Sequence, residues 1–562
     1  MKHLSLFPIL LLLFVGCSTS NSTQFTSPTP SVTSFSDVIT PQLLRTHLEV
    51  IAHDSLEGRE AGTRGERMAA QYIIDYYETI GVEPMGTEGY LQPFILNANQ
   101  TDSLVYTLHR MDGDEQLPVS RHLQSRHETS PILRLFGGAE PQQGSIIFSG
   151  FGVNDSPRGV NHADPAQIGG NWALIYQTIP YVVDGDTLVN PGISNNARLG
   201  ALLNQADAGG VLVIPDMTDE EFDEVAGIDA EFFGQPESMR LKYLDDSDGA
   251  GGFPKVYAMI RPSKAAELLG LSGADELAGH REQLVQQIRD FEPQATPFAL
   301  DYTPYAGVTE VVSNNVIGYV EGGHPELKEE VVVLMAHYDH IGITGPDETG
   351  DRINNGADDN GSGTVALMSI ATALQEAAEA GSRLDRSVLL VHVTAEEKGL
   401  LGSRYYSDHP VVPIEQTVAA FNADMIGRSD QQNVAAGDTD YVYLIGGEII
   451  SSELDSLVRV ANDRSVDMRL DPRYNDLTDP NQFYRRSDHW NLGRLNVPFV
   501  FFFTGVHEDY HRPGDEVEKI DFEKLSRITR LIFQSTGEVA NYDGRPAVDN
   551  QAFIDITRRQ AR

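Results

Sequence analysis

Four apolar runs in the second half of the chain each end in acids or histidines. Val331 to Ala336 leads into His337-Tyr338-Asp339-His340, and Val388 to Thr394 leads into Glu396-Glu397. Val418 to Ala423 ends on Asp424, and Val497 to Phe503 is followed by His507 and His511. Between the first two runs lies Asn354-Asn355-Gly356-Ala357-Asp358-Asp359-Asn360-Gly361-Ser362-Gly363. Several ionised acids brought to one place repel one another and resist ionisation unless a cation neutralises them. Imidazole and carboxylate are the ligands that suit zinc, and a catalytic zinc site keeps positions open for water and substrate. Two zinc ions sharing a carboxylate need roughly five protein ligands and acidify a water, which is the chemistry of metal-assisted hydrolysis. A glycine-rich loop before a helix could instead cradle phosphate, but this one carries two adjacent carboxylates and lacks the P-loop lysine.

These clusters must be held by a scaffold. Short β-rich runs of this kind read as buried strands of a largely parallel sheet. Open α/β sheets place ligands beyond the carboxyl ends of their strands, so the clusters converge on one edge. The glycine-rich loop opens a helix with Val365, Leu367, Met368, Ile370, Ala371 and Leu374 on its apolar positions, closed by Gly381. Upstream, Ile39 to Ile80 has helical spacing in two pieces around the turn Leu56 to Gly65, and Leu91 to Leu96 reads as a strand. From about residue 130 to 300 the pattern changes to short β-like runs (Ser145 to Phe148, Trp172 to Tyr176, Gly210 to Ile214) and a helix from about Ala197 to Ala208, with no cluster of metal-ligand type.

The ordered motifs are similar to those of the dinuclear zinc aminopeptidase family, which includes bacterial leucyl aminopeptidases and glutamate carboxypeptidase. The resemblance is carried by His337-Tyr338-Asp339, Gly356 to Gly363, Glu396 to Ser403, Asn422 to Met425 and Asp509 to Asp515, and it spans about residues 37 to 100 and 305 to 540. It implies an α/β catalytic domain, with a mixed, largely parallel central sheet flanked by helices, over 37–130 and 301–545. Residues 131–300 resemble a protease-associated α/β domain inserted into it, on Ile146 to Val153, Trp172 to Tyr176 and Ala206 to Ile214, and 546–562 reads as a C-terminal tail.

Residue by residue, the resemblance implies two Zn²⁺ per chain. Asp358 takes the place of the bridging carboxylate, His337 and Asp424 of the other ligands of one zinc, and Glu397 and His511 of those of the second. Glu396 takes the place of the general base acting on a water bridging the metals. Asp339 and Asp515 resemble partners that orient His337 and His511, and Asp359 stands where the family has a cis peptide between two acids. Tyr484 matches a tyrosine that polarises the scissile carbonyl in some members. His340, His489 and His507 read as rim or core histidines.

Composition narrows the partners. With 41 basic against 82 acidic residues and a formal charge of −41, the 562-residue chain repels polyphosphate backbones, so nucleic acid is excluded and cations are the expected guests. Only eight of the basic residues are Lys, a balance that resembles salt-adapted proteins. The single cysteine, Cys17, forbids an intramolecular disulfide. It follows Lys2, His3 and an apolar run too short to span a membrane, and Leu13-Phe14-Val15-Gly16-Cys17 resembles the lipobox of bacterial lipoproteins, with Phe14 departing from the usual Leu. Residues 1–17 therefore read as a lipoprotein signal for an exported, membrane-anchored protein, and the Ser/Thr/Pro-rich 18–36 as a tether, with folded structure starting near Asp37.

The expected function is an exopeptidase removing N-terminal residues from peptides. A carboxypeptidase of the same superfamily is an alternative, for which Arg485 and Arg486 could meet a terminal carboxylate. A two-metal phosphoesterase is another, disfavoured because a free carboxylate such as Glu396 repels phosphate. Side-chain preference and oligomeric state stay open at this level.

Overall fold

The computed structural model describes residues 31–113, 115–232, 236–244 and 255–560. Cys17, its signal-like run and most of the 18–36 stretch lie outside the described residues. Among the described residues, no helix is long and apolar enough to cross a membrane.

Two N-terminal helices, α1 (Pro41–Ile51) and α2 (Arg64–Ile80), form as their spacing predicts. Thr40 caps α1 by accepting from the Leu43 N–H, with Pro41 in the first turn. Thr63 caps α2, which ends on Gly81 in the left-handed region. The main sheet has sixteen strands among the described residues, with short or flanking ones at Glu83–Pro84, Glu115–Ser125 and Pro236–Leu241; the others, in chain order, are β1 (Leu91–Asp112), β2 (Ile132–Gly137), β3 (Gln142–Phe148), β4 (Trp172–Tyr176), β5 (Gly210–Ile214), β6 (Val256–Ile260), β7 (Gln294–Val320), β8 (Val331–His337), β9 (Ser387–Val393), β10 (Thr417–Ala423), β11 (Tyr441–Gly446), β12 (Arg469–Asp471) and β13 (Phe499–Phe503). Their order across the sheet is β12-β11-β13-β10-β8-β9-β7-β3-β4-β5-β6-β2, with β1 paired along β7.

The half of the sheet built around β8 is parallel at its centre. Strand β8 runs parallel to both β9 and β10, and β10 parallel to β13, while β7 and β11 pair antiparallel at either side. Alternate residues of β8 enter opposite cores. Val332, Leu334 and Ala336 meet α1, α2, α3 (Gly363–Glu379) and α4 (Phe522–Ala540), whereas Val331, Val333 and Met335 face Tyr406, Leu492 and Phe501. Burial on both faces is why these strands are continuous apolar runs.

Strands β1 and β7 are much longer than their apolar patterning suggests. They pair antiparallel from Leu91↔Val316 to Arg110↔Phe298 and carry the sheet from the half around β8 into the segment expected as an insertion. Leu104, Tyr106 and Leu108 of β1 and Phe298, Leu300 and Tyr302 of β7 pack with Trp172, Leu174 and Leu212, so the insertion's core begins near residue 104 and not at 131. Along the connecting ribbon Phe94, Leu96 and Ala98 of β1 are buried, but Ile95 of β1 and Tyr305, Val308 and Val312 of β7 are exposed, so apolar residues stand on the open side as well and blur the period-2 signal, most of all in β7. The helix expected over 197–208 starts at Asn195 and runs to Gln205.

Both ends of the described residues pack more tightly than their composition suggests. Val32 is buried in the main core and the Thr33 carbonyl accepts from Gln534 Nε2, so ordered chain starts ahead of Asp37. Residues 546–562 are no loose tail: Gln551–Gln560 is helical and Phe553 is fully buried against Trp490 and Phe499.

Candidate active site

The site lies at the carboxyl ends of β8, β9, β10 and β13. His337 is the last residue of β8, and Asp339 just beyond it accepts the N–H groups of Glu396 (3.2 Å) and Glu397 (3.4 Å), joining the loops after β8 and β9. The Asn354 to Gly363 loop enters α3 through two glycines that nothing larger could replace. A Cβ on Gly356, at φ 54°, would lie 2.2 Å from the Asp359 carbonyl, and one on Gly363 would lie 2.2 Å from the Ala423 carbonyl. Ala395, Met425 and His511, each beside or within the cluster, hold left-handed φ values of 54°, 53° and 58°, a conformation tolerated in non-glycine residues mainly where the surroundings enforce it.

The side chains form two abutting groups around one carboxylate. His337 Nε2 lies 3.4 Å from Asp359 Oδ1 and 3.5 Å from Asp424 Oδ1. On the other side, His511 Nε2 lies 3.2 Å from Asp359 Oδ2 and 3.1 Å from Glu397 Oε2, and His340 Nδ1 lies 2.8 Å from Glu397 Oε1. Two sets could each hold a cation: His337, Glu396 and Asp424, and His340, Asp359 and Glu397. Asp359 Oδ2, Asp424 Oδ1 and His340 Nε2 are buried without a hydrogen-bond partner, a costly state for polar atoms that a bound cation would relieve. Ser487 Oγ donates to the other Asp424 oxygen at 2.7 Å and fixes that carboxylate.

Electrostatics separate the two adjacent glutamates. Burial, together with the charges of Glu397, Asp488 and Asp424, pushes Glu396 well above the usual carboxylate range, against the pull of His337. Glu397 is also buried and faces Asp359, yet hydrogen bonds from His340 and His511 bring it down to about 2. Burial opposes charge on His511, but its contacts with Asp359 and Glu397 outweigh this and raise it to about 10. Asp488, buried nearby, is pushed up to about 7 by burial and by Asp424 and Asp339.

Residues 315–536 match Peptidase family M28. The sequence is 30% identical to leucine aminopeptidase 2 of Trichophyton equinum over 40% of this chain and 44% of that protein. It is 25% identical to aminopeptidase YwaD of Bacillus subtilis over 42% of this chain and 47% of that protein. The chain thus spans about half the length of the curated relatives it matches. In structure, the aminopeptidase from Aneurinibacillus sp. strain AM-1 aligns with a TM-score of 0.51 at 17% identity, covering 92% of this chain and 98% of that one. The zinc aminopeptidase BSAP from Bacillus subtilis aligns with a TM-score of 0.50 at 16% identity, covering 88% and 94%. The fold is shared with both.

Within residues 315–536 the structure redraws several sequence-based assignments. His337, Glu396, Glu397, Asp424 and His511 come together, but the carboxylate between the two groups is Asp359 and not Asp358. Asp358 turns away: its Oδ1 accepts the Gly427 N–H at 2.6 Å and its Oδ2 lies 3.4 Å from His507. The cis peptide follows Asp359, joining it to Asn360. Asp339 lies beside His337, 3.6 Å from its Nδ1, as expected. Asp515 does not orient His511; it accepts the N–H groups of both Asp358 and Asp359 at 3.0 Å and so shapes the loop. His340, read as a rim or core residue, touches Glu397, whereas His489 does sit in the core, stacked on Phe501.

Tyr484 is also displaced from its expected role. It is buried edge-on against Trp490, away from the acids, and Tyr510 instead lines the recess with Asp359, Glu396 and Asp424. Burial and the charges of Asp359, Glu397 and Glu396 push the Tyr510 phenol up, so it stays a neutral donor. Arg59 had no sequence signal beyond its place in a glycine-rich turn. Fully buried, it donates to the carbonyls of Ile51 (2.6 Å), Tyr338 (2.8 Å), Asn355 (2.6 Å) and Gly356 (3.0 Å), tying the His337 loop to the Asp359 loop.

Proposed function

We propose that this protein is a zinc-dependent aminopeptidase that removes N-terminal residues from peptides. The observation that carries the reading is Asp359, whose two oxygens face different histidines, with Glu396 close by. The similarity to named aminopeptidases supports it. Two zinc ions would be held by His337 and Asp424 on one side and by Glu397 and His511 on the other, with Asp359 shared. When bound, such a metal pair acidifies water and polarises a carbonyl.

The chain's own residues do the rest. Glu396, lining the recess with Asp359 and Asp424 and left off the metals in this assignment, takes a proton from the attacking water and delivers it to the leaving amine, the task of a general base that becomes a general acid. Asp339 fixes that glutamate through its backbone N–H, and Ser487 fixes Asp424. The Tyr510 hydroxyl donates to the carbonyl oxygen as it gains charge. The apolar walls Met425, Phe483, Phe501, Phe503 and Val506 shed water and receive the substrate's side chain. Export and lipidation at Cys17, and a protease-associated identity for the insertion, belong to the same proposal; intact mass of the membrane fraction tests the first.

The decisive experiment is hydrolysis of free and N-acetylated aminoacyl anilides and dipeptides, with zinc quantified on the same preparation. Cleavage of free N-termini only, lost on chelation, is the expected result. Glu396→Gln should retain zinc and lose about 10² to 10⁴ in turnover. Cleavage of blocked peptides would replace the reading with a carboxypeptidase, and cleavage of phosphate esters alone with a phosphoesterase.

A further inference from the structure

The recess beside the acids is lined by groups of both charges. Asp359, Glu396 and Asp424 line one part, and Met425, Phe483, Phe501, Phe503, Val506 and Tyr510 form apolar and aromatic walls. Arg486 lines the same recess and is exposed. Its guanidinium lies 5.1 Å over the Phe483 ring, which is itself held by Tyr474 and Phe503, each at 4.9 Å between ring centres. A cation stacked on a fixed aromatic face has a defined position.

Other arginines around it are occupied. Arg485 donates to Gln482, Arg428 pairs with Asp509 at 2.7 Å, and Arg494 pairs with Asp408 at 2.6 Å. The Arg486 side chain, among the described residues, has neither an ion pair nor a hydrogen bond, in a chain with twice as many acids as bases. An unpaired planar fork at the edge of an apolar recess suits a carboxylate, which it can grip through two parallel hydrogen bonds.

We propose that Arg486 is a specificity determinant that recognises a carboxylate carried by the substrate. This rests on the exopeptidase reading: the substrate's amine faces the acids, its hydrocarbon lies on the aromatic walls, and its anionic group meets Arg486. The carboxylate has two sources, the side chain of an N-terminal Glu or Asp, or the α-carboxylate of a dipeptide.

The test compares the zinc-loaded wild type with Arg486→Met, Arg486→Lys and Arg486→Glu. One arm is the kcat/KM ratio of glutamyl to glutaminyl anilide, and the other is the ratio of Leu-Ala to its C-terminal amide. Arg486→Met should lower one of these ratios by about 10- to 100-fold, mostly through KM, as expected for a lost charge-assisted pair. The arm that moves identifies the source. Arg486→Lys should restore part of the loss, and Arg486→Glu should lower the same ratio further. Calorimetric binding of glutamate against glutamine, or of dipeptide against its amide, should follow the same order. An Arg486→Met protein that melts like the wild type and keeps both ratios within about twofold overturns the proposal. A wild type that cleaves no free N-terminus overturns the exopeptidase reading and this inference with it.

Discussion

Arg59 makes a demanding test of how the site is held. Its guanidinium serves four backbone carbonyls from three segments, Ile51, Tyr338, and Asn355 with Gly356. Substitution by Met keeps the apolar stem and removes every donor. A hydrogen bond from a charged donor contributes about 1.5 to 3 kcal/mol, so four amount to roughly 6 to 12 kcal/mol gross. Part of this is recovered, because burial already pulls Arg59 down to about 10, against the pull of Asp339, Asp359 and Asp515; that desolvation cost of about 3 kcal/mol disappears with the charge. The remainder agrees with the roughly 3 to 5 kcal/mol found when one partner of a buried charged contact is removed. The expected loss is about 4 kcal/mol, felt locally as opening of the two loops.

The probes are the amides of Tyr338, Ala357 and Gly361, bonded to the carbonyls of Val393, Asp515 and Gly356. Their hydrogen exchange in Arg59→Met should accelerate by about 10³, while amides of the insertion such as Ser149, bonded to Leu174, stay unchanged. Zinc content should fall in parallel, because the His337 and Asp359 loops lose their common anchor. Acceleration of less than about tenfold at all three amides would refute the clamp and leave Arg59 as packing.

Three further outcomes follow from the geometry. Asp359→Asn should lower bound zinc below that of wild type and abolish turnover, whereas Asp358→Asn should keep more of both, as metal analysis on matched preparations would show; the reverse order would return the bridge to Asp358. Tyr510→Phe should reduce kcat by about 10²- to 10³-fold, as expected for one lost donor to the developing oxyanion, with Tyr484→Phe changing stability more than kcat; steady-state kinetics on one anilide separates them. Burial depresses His47 and His162 to about 4 and His392 and His489 to about 3. A histidine whose folded pKa is depressed stabilises above the unfolded value of about 6.5, and this is lost as pH falls toward the folded value. Melting temperature should therefore drop steeply between about pH 6.5 and 4, with up to ~3 kcal/mol lost at His162 alone by pH 4, and His162→Gln should flatten the fall in the insertion.

How much of this was legible in the sequence depends on the range of the interaction. The strands β8, β9, β10 and β13 and the helices α1 to α3 are written locally, since burial of both strand faces demands unbroken apolar runs and a helix shows its own apolar spacing and stop. The candidate cation site was partly legible, because His337, Glu396, Glu397 and Asp424 stand at or within a few residues of such a strand's end, whereas His511 lies further on in the loop after Phe503. The full length of the β1 and β7 ribbon was not, since β1 buries Phe94, Leu96 and Ala98 on one face while β7 exposes Tyr305, Val308 and Val312 and leaves no alternation to read there.

Which of two neighbouring residues does the work was settled only in three dimensions. Asp358 and Asp359 are chemically identical and adjacent, and the path of the chain through Gly356 and the two N–H bonds to Asp515 turns one toward the histidines and the other toward His507. Tyr484 and Tyr510 differ in the same way, one driven into the core by Trp490 and the other stacked on His511 at the recess. Arg59 acquires its part from carbonyls almost 300 positions away in the chain. Residue type and local spacing determine which chemistry is available, because they act over a few residues. The direction of each side chain depends on contacts between distant segments, and those exist only once the chain has folded.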